Sequence, residues 1–573
     1  MPRTSTKNRP ILRIAPFSQL FTLFALLTLV AAACAPSRDL SGDAPPSEGG
    51  ERKAMERRLT LLFFADLHAQ VEEHPELFWD ESGDRIAMAG GFARVAQAIR
   101  DERAQAPKGS VFVIDGGDTF QGSKLAALTE GEALVPLLSN MGFDLAIPGN
   151  WEVAYGAARM RSLLAKLPYP TIAENVFVEA SGERILPPSI LREIGGVKVG
   201  FIGYTDPDVP RRQPPSFSEG LRYGGPDSLN ELAASLREDG AELVVLVSHI
   251  GLARAAKLTE RLKGIDLHLS SDTHERSFEP IDVNGVWVVE PGAFGSFMGK
   301  IELTLKGDVI TERRWSLIPL EASRFPEAAD IAARVEEVMR PHRESLEREL
   351  GEVAETMARY DVVETTIDNL LADALRAETG TEIALSNGFR FGTPLLPGPF
   401  TEADLYNLYP ITMPVKTGEV SGQQLLDFFE QELENVFSAD PERRFGGWVT
   451  RLSGVELTFR AFAPKGERIE RIEINGEPLD PHRIYTVTAC EREGDAFDTL
   501  CRIPHVQNPK VLDFDAHEAV RRYLRKERVL RAPDRDRVIA LDLPRHTRSQ
   551  LLQPEPRDST SKKEPPVVGG EED

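Results

Sequence analysis

Apolar residues follow two different periods along the chain, and the alternation of these periods predicts a layered α/β fold. Short apolar runs typical of buried strands lie at residues 59–65, 110–115, 145–148, 197–204 and 242–248. Between them, residues 91–103 and 227–238 carry apolar side chains at the spacing of an amphipathic helix. Strands that alternate with helices are typical of sheets covered by helices. We expect the first domain to span residues 58–320.

Changes in composition mark the other segments. Residues 35–57 are rich in Pro, Ser, Gly and charged residues, which predicts a flexible linker. Residues 321–350 are strongly charged with apolar residues at helical spacing, which predicts a long connecting helix. A second, smaller α/β domain is expected at residues 351–545, followed by a polar, proline-containing disordered tail at residues 546–573.

The first 34 residues have the pattern of an export signal. Basic residues precede an apolar stretch from Phe17 to Ala33, and small residues lead directly to Cys34. This ending resembles a bacterial lipobox, although Ala31 stands where leucine is commoner. The resemblance implies that Cys34 is lipidated and anchors the protein to a membrane. An ordinary cleaved signal peptide and an uncleaved anchor are the alternatives, and all three predict an exported protein, periplasmic or on the cell surface of a bacterium.

The charge balance narrows the class of partner. The chain has 67 basic and 90 acidic residues, a formal net charge of -23. Proteins that bind nucleic-acid polymers normally present a basic face, so no such polymer is expected as a partner. A small anionic substrate is compatible with the charge, because bound divalent metals reverse the sign of the local field.

Two cysteines remain beyond the signal segment, Cys490 and Cys501. An exported protein meets oxidising conditions, in which a disulfide between them would persist. Sequence does not define the separation of the two Cα atoms, so a disulfide and two separate thiols are equally open.

Side chains that bind metals follow strand-like runs at five places along the chain. Ligand sites in α/β folds form at the carboxyl ends of strands, and mixed carboxylate, amide and imidazole ligands suit Mn, Zn, Fe or Mg-like ions. A single Asp-x-His or Gly-Gly-Asp turn carries little information, but five such motifs in order are hard to explain by packing. The expected metal ligands are Asp66, His68, Asp118, Asn150, His249, Asp272 and His274.

These motifs resemble the 5'-nucleotidase family of calcineurin-like metallophosphoesterases. The family pattern is Asp-x-His, Gly-Gly-Asp, Gly-Asn-His-Glu, a strand-terminal His and Gly-His-x-His. The resemblance implies a four-layer metallophosphoesterase sandwich followed by a smaller 5'-nucleotidase C-terminal domain. It implies two divalent ions, one held by Asp66, His68, Asp118 and His274 and the other by Asp118, Asn150, His249 and Asp272. The catalytic residues that it implies are Asp118, Asn150 and Trp151.

Two positions of the metal motifs depart from the family pattern. Asp272 stands where the family usually has histidine, and a carboxylate is still a competent ligand. Trp151 replaces the histidine that is thought to protonate the leaving group, and Ala154 replaces the aspartate that orients it. An indole donates a hydrogen bond but cannot transfer a proton. The loss of this proton donor slows hydrolysis most when the leaving group needs a proton, and less when the leaving group is a thiolate.

Residues 151–156 and 388–393 resemble the SoxB sulfohydrolases, a branch of the same family that releases sulfate from a cysteine-bound sulfane chain. The alternative is that Trp151 is a packing residue in a phosphatase. By position, the family resemblance implies that the substrate-binding residues are Asn387, Arg390 and Phe497. Arg390 as a surface ion-pair residue and Phe497 as a core residue are the alternatives. The family stacks the base between two aromatic rings, and Phe497 stands at the position of one of them. The other ring is missing here, where the sequence reads Tyr409-Pro410.

The sequence therefore predicts an exported two-metal hydrolase of phosphate monoesters, with nucleotide-like substrates. One alternative is a SoxB-like sulfohydrolase that releases sulfate from a sulfur-bound cysteine. The other is a non-catalytic lipoprotein that binds metal or ligand, which is the least favoured because a protein without catalysis has no chemical need for all seven ligands.

Overall fold

The computed structural model describes residues 56–551, except Glu81, Asp308 and Phe445. The predicted signal segment with Cys34, almost all of the predicted linker, and residues 552–573 lie outside the described residues. Within the described part, no helix combines the length and the apolar character needed to span a membrane.

The first strand, β1 (Glu56–Phe64), shows why the N-terminal region, residues 56–320, folds into layers. Successive side chains of a strand point to opposite faces of its sheet. Leu61 and Phe63 pack against the strands of a second sheet, whereas Leu62 and Phe64 pack against helices. Because both faces are buried, the strand reads as an almost continuous apolar run.

The N-terminal region contains the following elements. The further strands are β2 (His74–Asp80), β3 (Gly83–Ala89), β4 (Val111–Asp115), β5 (Leu145–Ala146), β6 (Val176–Val178), β7 (Ser189–Ile194), β8 (Val197–Thr205), β9 (Leu221–Tyr223), β10 (Leu243–His249), β11 (Leu267–Ser271), β12 (Ile281–Val283), β13 (Val286–Val289), β14 (Phe297–Lys306) and β15 (Val309–Pro319). The helices are α1 (Phe92–Gln105), α2 (Lys124–Thr129), α3 (Val135–Met141), α4 (Ala157–Leu164), α5 (Val209–Arg212), α6 (Leu229–Glu238) and α7 (Leu252–Thr259).

Two sheets stack face to face in this region. Their strand orders are β15-β14-β1-β4-β5 and β12-β13-β11-β10-β8-β7. Strands β1, β4 and β5 run parallel to one another, and so do β8, β10, β11 and β13. Helices α1 and α3 cover the outer face of the first sheet, and α6 and α7 cover that of the second. The predicted four-layer sandwich is confirmed, and the parallel strands bring their carboxyl ends to one side of it.

The predicted long connecting helix is wrong. The segment instead forms α8 (Ala329–Met339), a 3-10 turn at Arg340–His342 and the short helix α9 (Arg343–Leu346). Pro341 interrupts the helix, because proline supplies no backbone N–H and its ring clashes with the preceding turn. The apolar residues at helical spacing in α8 pack on the helical layer of the first sheet, as Ile331 and Val335 show.

The C-terminal region, residues 349–551, is also a mixed α/β structure. Its strands are β16 (Glu349–Val353), β17 (Ile383–Gly388), β18 (Gly398–Thr401), β19 (Pro414–Ser421), β20 (Trp448–Ser453), β21 (Val455–Phe459), β22 (Ile469–Ile474), β23 (Glu477–Pro478), β24 (Ile484–Cys490), β25 (Gln507–Asp515), β26 (Val529–Leu530) and β27 (Val538–Ala540). Its helices are α10 (Thr366–Thr379), α11 (Glu402–Leu408), α12 (Gly422–Phe437) and α13 (Ala516–Glu527). The central sheet has the order β20-β17-β24-β19-β25, with α12 on one face and α10 and α13 on the other.

The beginning of the predicted disordered tail is packed against the rest of the protein. Thr547 is buried, and its carbonyl oxygen accepts a hydrogen bond from the backbone N–H of Val362 at 2.8 Å. The backbone N–H of Gln550 donates to the buried carboxylate of Glu275 at 2.8 Å. Composition did not reveal this packing, because these residues are held by polar contacts and not by an apolar period. The predicted boundaries between the two domains stay predictions.

Cys490 and Cys501 are free thiols in the structure. Burial raises the pKa of Cys490 to about 12 and the pKa of Cys501 to about 11. Both thiols are therefore protonated at neutral pH and poorly reactive.

A buried histidine of the second sheet predicts how stability depends on pH. His268 lies between the hydroxyls of Ser248 and Thr259, each 2.7 Å from a ring nitrogen, and burial lowers its pKa from 6.5 to about 3. Below pH 6.5 the unfolded state therefore binds a proton that the folded state does not. Stability contributed by this group falls by ~1.4 kcal/mol per pH unit as the pH decreases towards 3.

We expect the free energy of unfolding of His268→Gln to depend less steeply on pH between pH 6.5 and 4, as measured by urea denaturation. The window lies between the ordinary pKa of histidine and the lowered pKa of His268. His482→Gln, at an exposed histidine, is the matched control and should keep the slope of the unsubstituted protein. An unchanged slope for His268→Gln would show that His268 does not titrate in this way.

Candidate metal centre

The predicted ligands meet where the carboxyl ends of the two sheets come together. Asp66 and His68 follow β1, and the other ligands follow or end β4, β5, β10 and β11. Five of the seven have positive φ, which L-residues rarely adopt: Asp66 (52°), His68 (45°), Asp118 (56°), Asp272 (97°) and His274 (56°). Such conformations cost ~1–3 kcal/mol each and persist where the surroundings impose them, typically at functional sites.

Three imidazoles hold their Nδ1 atoms against backbone carbonyl oxygens. The Nδ1 atoms of His68, His249 and His274 lie 3.0, 2.8 and 3.1 Å from the carbonyl oxygens of Gln121, Gly116 and Arg390. A carbonyl oxygen only accepts, so each Nδ1 carries a proton, and in a neutral imidazole Nε2 then has a lone pair. The Nε2 atoms of His68 and His274 nevertheless face each other at 3.2 Å. Two lone pairs at this distance repel unless a cation lies between them, and this observation supports a metal site.

Two carboxylates complete the cluster. Asp118 Oδ2 lies 3.2 Å from His249 Nε2 and 3.8 Å from His68 Nε2. Asp66 Oδ1 lies 3.6 Å from His274 Nε2 and 3.8 Å from His249 Nε2. Asp66 Oδ1 and His249 Nε2 are buried and have no hydrogen-bond partner. Among the described residues, two groups could each hold an ion, one formed by Asp66, His68 and His274 and the other by Asp66, Asp118 and His249.

The environment affects the three histidines differently. Burial lowers the pKa of His68 and lowers that of His274 well below its ordinary value, so both imidazoles are neutral. Against the effect of burial, the carboxylates of Asp118 and Asp66 raise the pKa of His249 well above its ordinary value. Burial also raises the pKa of Asp66 well above its ordinary value. Buried carboxylates are costly without a positive charge nearby. These five residues therefore fit divalent ions in their donor atoms and in their geometry.

Asn150 and Asp272 are arranged differently from the prediction. The Asn150 amide donates to Asp272 Oδ1 at 2.7 Å, and Arg212 donates to both oxygens of Asp272 at 3.0 and 3.1 Å. Asp272 belongs to neither candidate group, whereas Asp66 is a member of both. Asp118 faces His249 of its own group and His68 of the other group. The predicted second set of ligands is thus only partly assembled, because an arginine satisfies one of its carboxylates.

The loops that carry Asp118 and Asn150 are joined by Glu152, which sequence analysis did not single out as a site residue. Its carboxylate accepts from the backbone N–H groups of Asp118, Thr119 and Gly149 at 3.0, 2.7 and 2.5 Å. The close approach requires glycine, since a Cβ at Gly149 would lie 2.2 Å from Asp118 Oδ1. Its place directly after Asn150-Trp151 was the signal that could have marked Glu152.

A cavity of about 140 Å³ lies beside the cluster, between the N-terminal and C-terminal regions. Trp151 lines it, and its backbone N–H donates to Asp118 Oδ1 at 2.7 Å, which leaves Oδ2 directed to the histidines. The cavity is also lined by Asp118, Arg212, Asp272, His274, Asn387, Phe389, Arg390, Phe391, Trp448 and Arg502. The cavity therefore combines metal ligands, cationic side chains and aromatic rings.

Two of the three predicted substrate residues line this cavity. Asn387 and Arg390 do so, and Arg390 is buried with its Nη1 atom lacking a hydrogen-bond partner, so it is not a surface ion-pair residue. Phe497 does not line the cavity. The residue is 64% exposed, and its ring centroid lies 5.0 Å from the Nζ atom of Lys416, so it is not a core residue either.

Phe391 and Arg212 are site residues that sequence analysis missed. The Phe391 ring lies 4.5 Å from the ring of His68 and 5.7 Å from that of Trp151, and so covers the cluster. Phe391 lies beside Arg390 in the run that resembles SoxB, which was an available signal. Arg212 lies in a short helix with no recognisable motif, so its contact with Asp272 depends on the tertiary fold.

Comparisons with known proteins agree with this architecture. Residues 349–491 match the model of the 5'-nucleotidase C-terminal domain. This match concerns the C-terminal region, which is similar to the C-terminal domain of 5'-nucleotidases. The predicted resemblance is confirmed. Over 461 residues the chain is 23% identical to the endonuclease YhcR of Bacillus subtilis, which covers 75% of this chain and 36% of that protein. The chain thus spans about a third of that relative's length.

Two solved structures extend over nearly the whole described part. The sulfate thiohydrolase SoxB of Thermus thermophilus, in complex with glycerol, has a TM-score of 0.76 and 27% identity, covering 88% of this chain and 99% of that chain. A 5'-nucleotidase precursor of the same organism has a TM-score of 0.73 and 22% identity, covering 85% of this chain and 100% of that chain. Both branches named by the sequence motifs therefore share the fold of this chain.

Proposed function

We propose that the chain is a metal-dependent hydrolase of small phosphate monoesters, with nucleotide-like compounds as its substrates. One observation carries the proposal: three imidazole Nε2 atoms and two carboxylate oxygens lie beside a cavity that also contains Arg390, whose Nη1 atom has no hydrogen-bond partner. Two divalent ions, of the Mn, Zn, Fe or Mg type, are the cofactors that these donors suit. Such ions supply Lewis acidity and lower the pKa of water.

The chain's own residues would bind and orient the substrate. Arg390 is buried with its Nη1 atom lacking a hydrogen-bond partner, and a guanidinium fork suits the oxygens of a phosphoryl group. Phe391 covers His68 and restricts the access of water to the ligands. Phe389 and Trp448 offer aromatic faces in the same cavity, where a base or another planar group could lie.

Arg390→Met is expected to lower kcat/KM for a phosphate monoester by about 10- to 100-fold, since a hydrogen bond to a charged group contributes ~1.5–3 kcal/mol. Metal content should not change, because only the backbone of Arg390 contacts His274. Arg314→Met, at an arginine 74% exposed on β15, is the matched control. Equal effects of the two substitutions would exclude a role of Arg390 in binding the substrate.

A second candidate function is hydrolysis of a sulfur-bound sulfonate with release of sulfate. Trp151 favours it, because this side chain lines the cavity where the family's proton donor is expected and cannot transfer a proton. A thiolate leaving group needs little protonation near neutral pH. The similarity to SoxB over 99% of that chain supports the same candidate.

Turnover of four compounds separates the two candidates: AMP, a UDP-sugar, p-nitrophenyl phosphate and S-sulfocysteine. Phosphate and sulfate are measured separately, with Mn²⁺ present and after chelation. The proposal requires phosphate release that depends on metal. Sulfate release without phosphate release would replace the first candidate by the second, and metal binding without turnover would favour a non-catalytic binding protein.

We also propose that the protein is exported and anchored through lipidated Cys34, as the pattern of its first 34 residues suggests. Metabolic labelling with a radioactive fatty acid in a bacterial host tests this. Cys34→Ser should abolish the label, whereas Cys490→Ser should keep it. A label that persists in Cys34→Ser would contradict the anchor.

A further inference from the structure

Arg212, at the end of α5, forms a two-pronged ion pair with a predicted metal ligand. Its Nη2 donates to Asp272 Oδ1 at 3.0 Å, and its Nη1 donates to Asp272 Oδ2 at 3.1 Å. Asp272 Oδ1 also accepts from the Asn150 amide at 2.7 Å. Both oxygens of Asp272 and the amide group of Asn150 are thus engaged by protein groups.

Other contacts hold the Arg212 guanidinium in place. Nη1 donates at 2.6 Å to Asp206, a fully buried carboxylate that also binds Arg254 at 3.1 Å. From the C-terminal region, Gly446 approaches so closely that a Cβ there would lie 2.9 Å from Arg212 Nη2. Arg212 therefore cannot swing away from Asp272 without breaking its pair with Asp206 and disturbing the covering segment.

The ion pair has unequal consequences for the two candidate metal groups. The group of Asp66, His68 and His274 makes no hydrogen bond with Arg212, whereas the group of Asp66, Asp118 and His249 lacks the two further ligands that Asn150 and Asp272 would provide. A second cation beside Asp272 would also be repelled by the guanidinium charge.

We propose that Arg212 restricts the second metal position, so that the chain binds one divalent ion tightly and a second one weakly. Arg212 acts here as a positioning residue, because it engages both oxygens of Asp272, which in turn accepts from the Asn150 amide. The inference rests on the proposed function only in that the five-residue cluster binds divalent metal.

Titration of the metal-free full chain with Mn²⁺, followed by calorimetry, tests the proposal. We expect two binding events whose dissociation constants differ by ~10-fold or more, as substitutions next to metal ligands commonly change affinity by 10- to 100-fold. In Arg212→Gln the second event should tighten by about 10-fold, while the first stays unchanged and shows that the cluster is folded. Arg212→Lys keeps the charge and should keep the second ion weak.

The matched control is Arg254→Gln, which removes a cationic partner of Asp206 and changes no contact of Asp272. Both binding events should stay as they are in the unsubstituted chain. Two equal binding events in the unsubstituted chain, or a second event that weakens in Arg212→Gln, would overturn the inference and leave the proposed function intact. Absence of Mn²⁺ binding in every variant would overturn both.

Discussion

Replacing Asp118 with asparagine is expected to lower hydrolysis of a phosphate monoester by roughly 10³-fold or more, because metal ions stabilise transition-state charge by several kcal/mol. Asp118 Oδ2 is the oxygen that faces both His249 and His68, and Oδ1 is engaged by the backbone N–H of Trp151. An amide has no negative charge to offer a cation at this point. Metal content per chain, measured by mass spectrometry, should fall together with kcat/KM.

Asp115→Asn is the matched control for this change. Asp115 is equally buried at the end of β4, but its carboxylate accepts from Thr119 and from the backbone of Gly117. One carboxylate oxygen, Oδ1, accepts both hydrogen bonds, and the amide oxygen of asparagine can accept them in the same way. The control should retain metal and most activity. Full activity and full metal content in Asp118→Asn would contradict the assignment of the centre.

The second large effect is a gain of activity. Trp151→His combined with Ala154→Asp restores the histidine and the carboxylate that the family pattern contains. We expect kcat/KM for an alkyl phosphate to rise by ~10²-fold, since general acid catalysis contributes ~10²–10⁴-fold when the leaving group needs a proton. The effect on p-nitrophenyl phosphate should be small, because nitrophenolate leaves without a proton.

The leaving-group dependence distinguishes proton transfer from a change in packing. Trp151 lies 5.7 Å from the Phe391 ring, so any smaller side chain also opens the cavity. Trp151→Phe therefore serves as the control, because it removes the indole N–H without adding an acid. Equal gains with both substrates, or a gain in Trp151→Phe, would show that the double variant acts by enlarging the cavity and not by transferring a proton.

Sequence predicted the parts of this protein that depend on local signals. The strands β1 and β10 are apolar on both faces, so their existence and their burial follow from the run of residues alone. The ligands come directly after such strands, and parallel strands bring their carboxyl ends together. For this reason Asp66, His68 and His249 could be assigned to one centre before any contact was known.

The remaining features depend on contacts between distant segments. Arg212 meets Asp272 across 60 residues of sequence, and nothing in its own helix indicates this pair. Phe497 retained the residue type of a stacking ring, but the fold leaves it exposed, away from the cavity. The connecting segment had helical spacing throughout, and Pro341 nevertheless interrupted it. Local patterns do not contain the tertiary contacts that decide these cases.

Phosphate release from AMP by the full chain, first freed of metal and then supplied with Mn²⁺, tests the central claim most directly. The account predicts no release by the metal-free chain and recovery of release when Mn²⁺ is added, with recovery absent in Asp118→Asn. Release that is independent of metal, or no release from AMP while S-sulfocysteine yields sulfate, would contradict it.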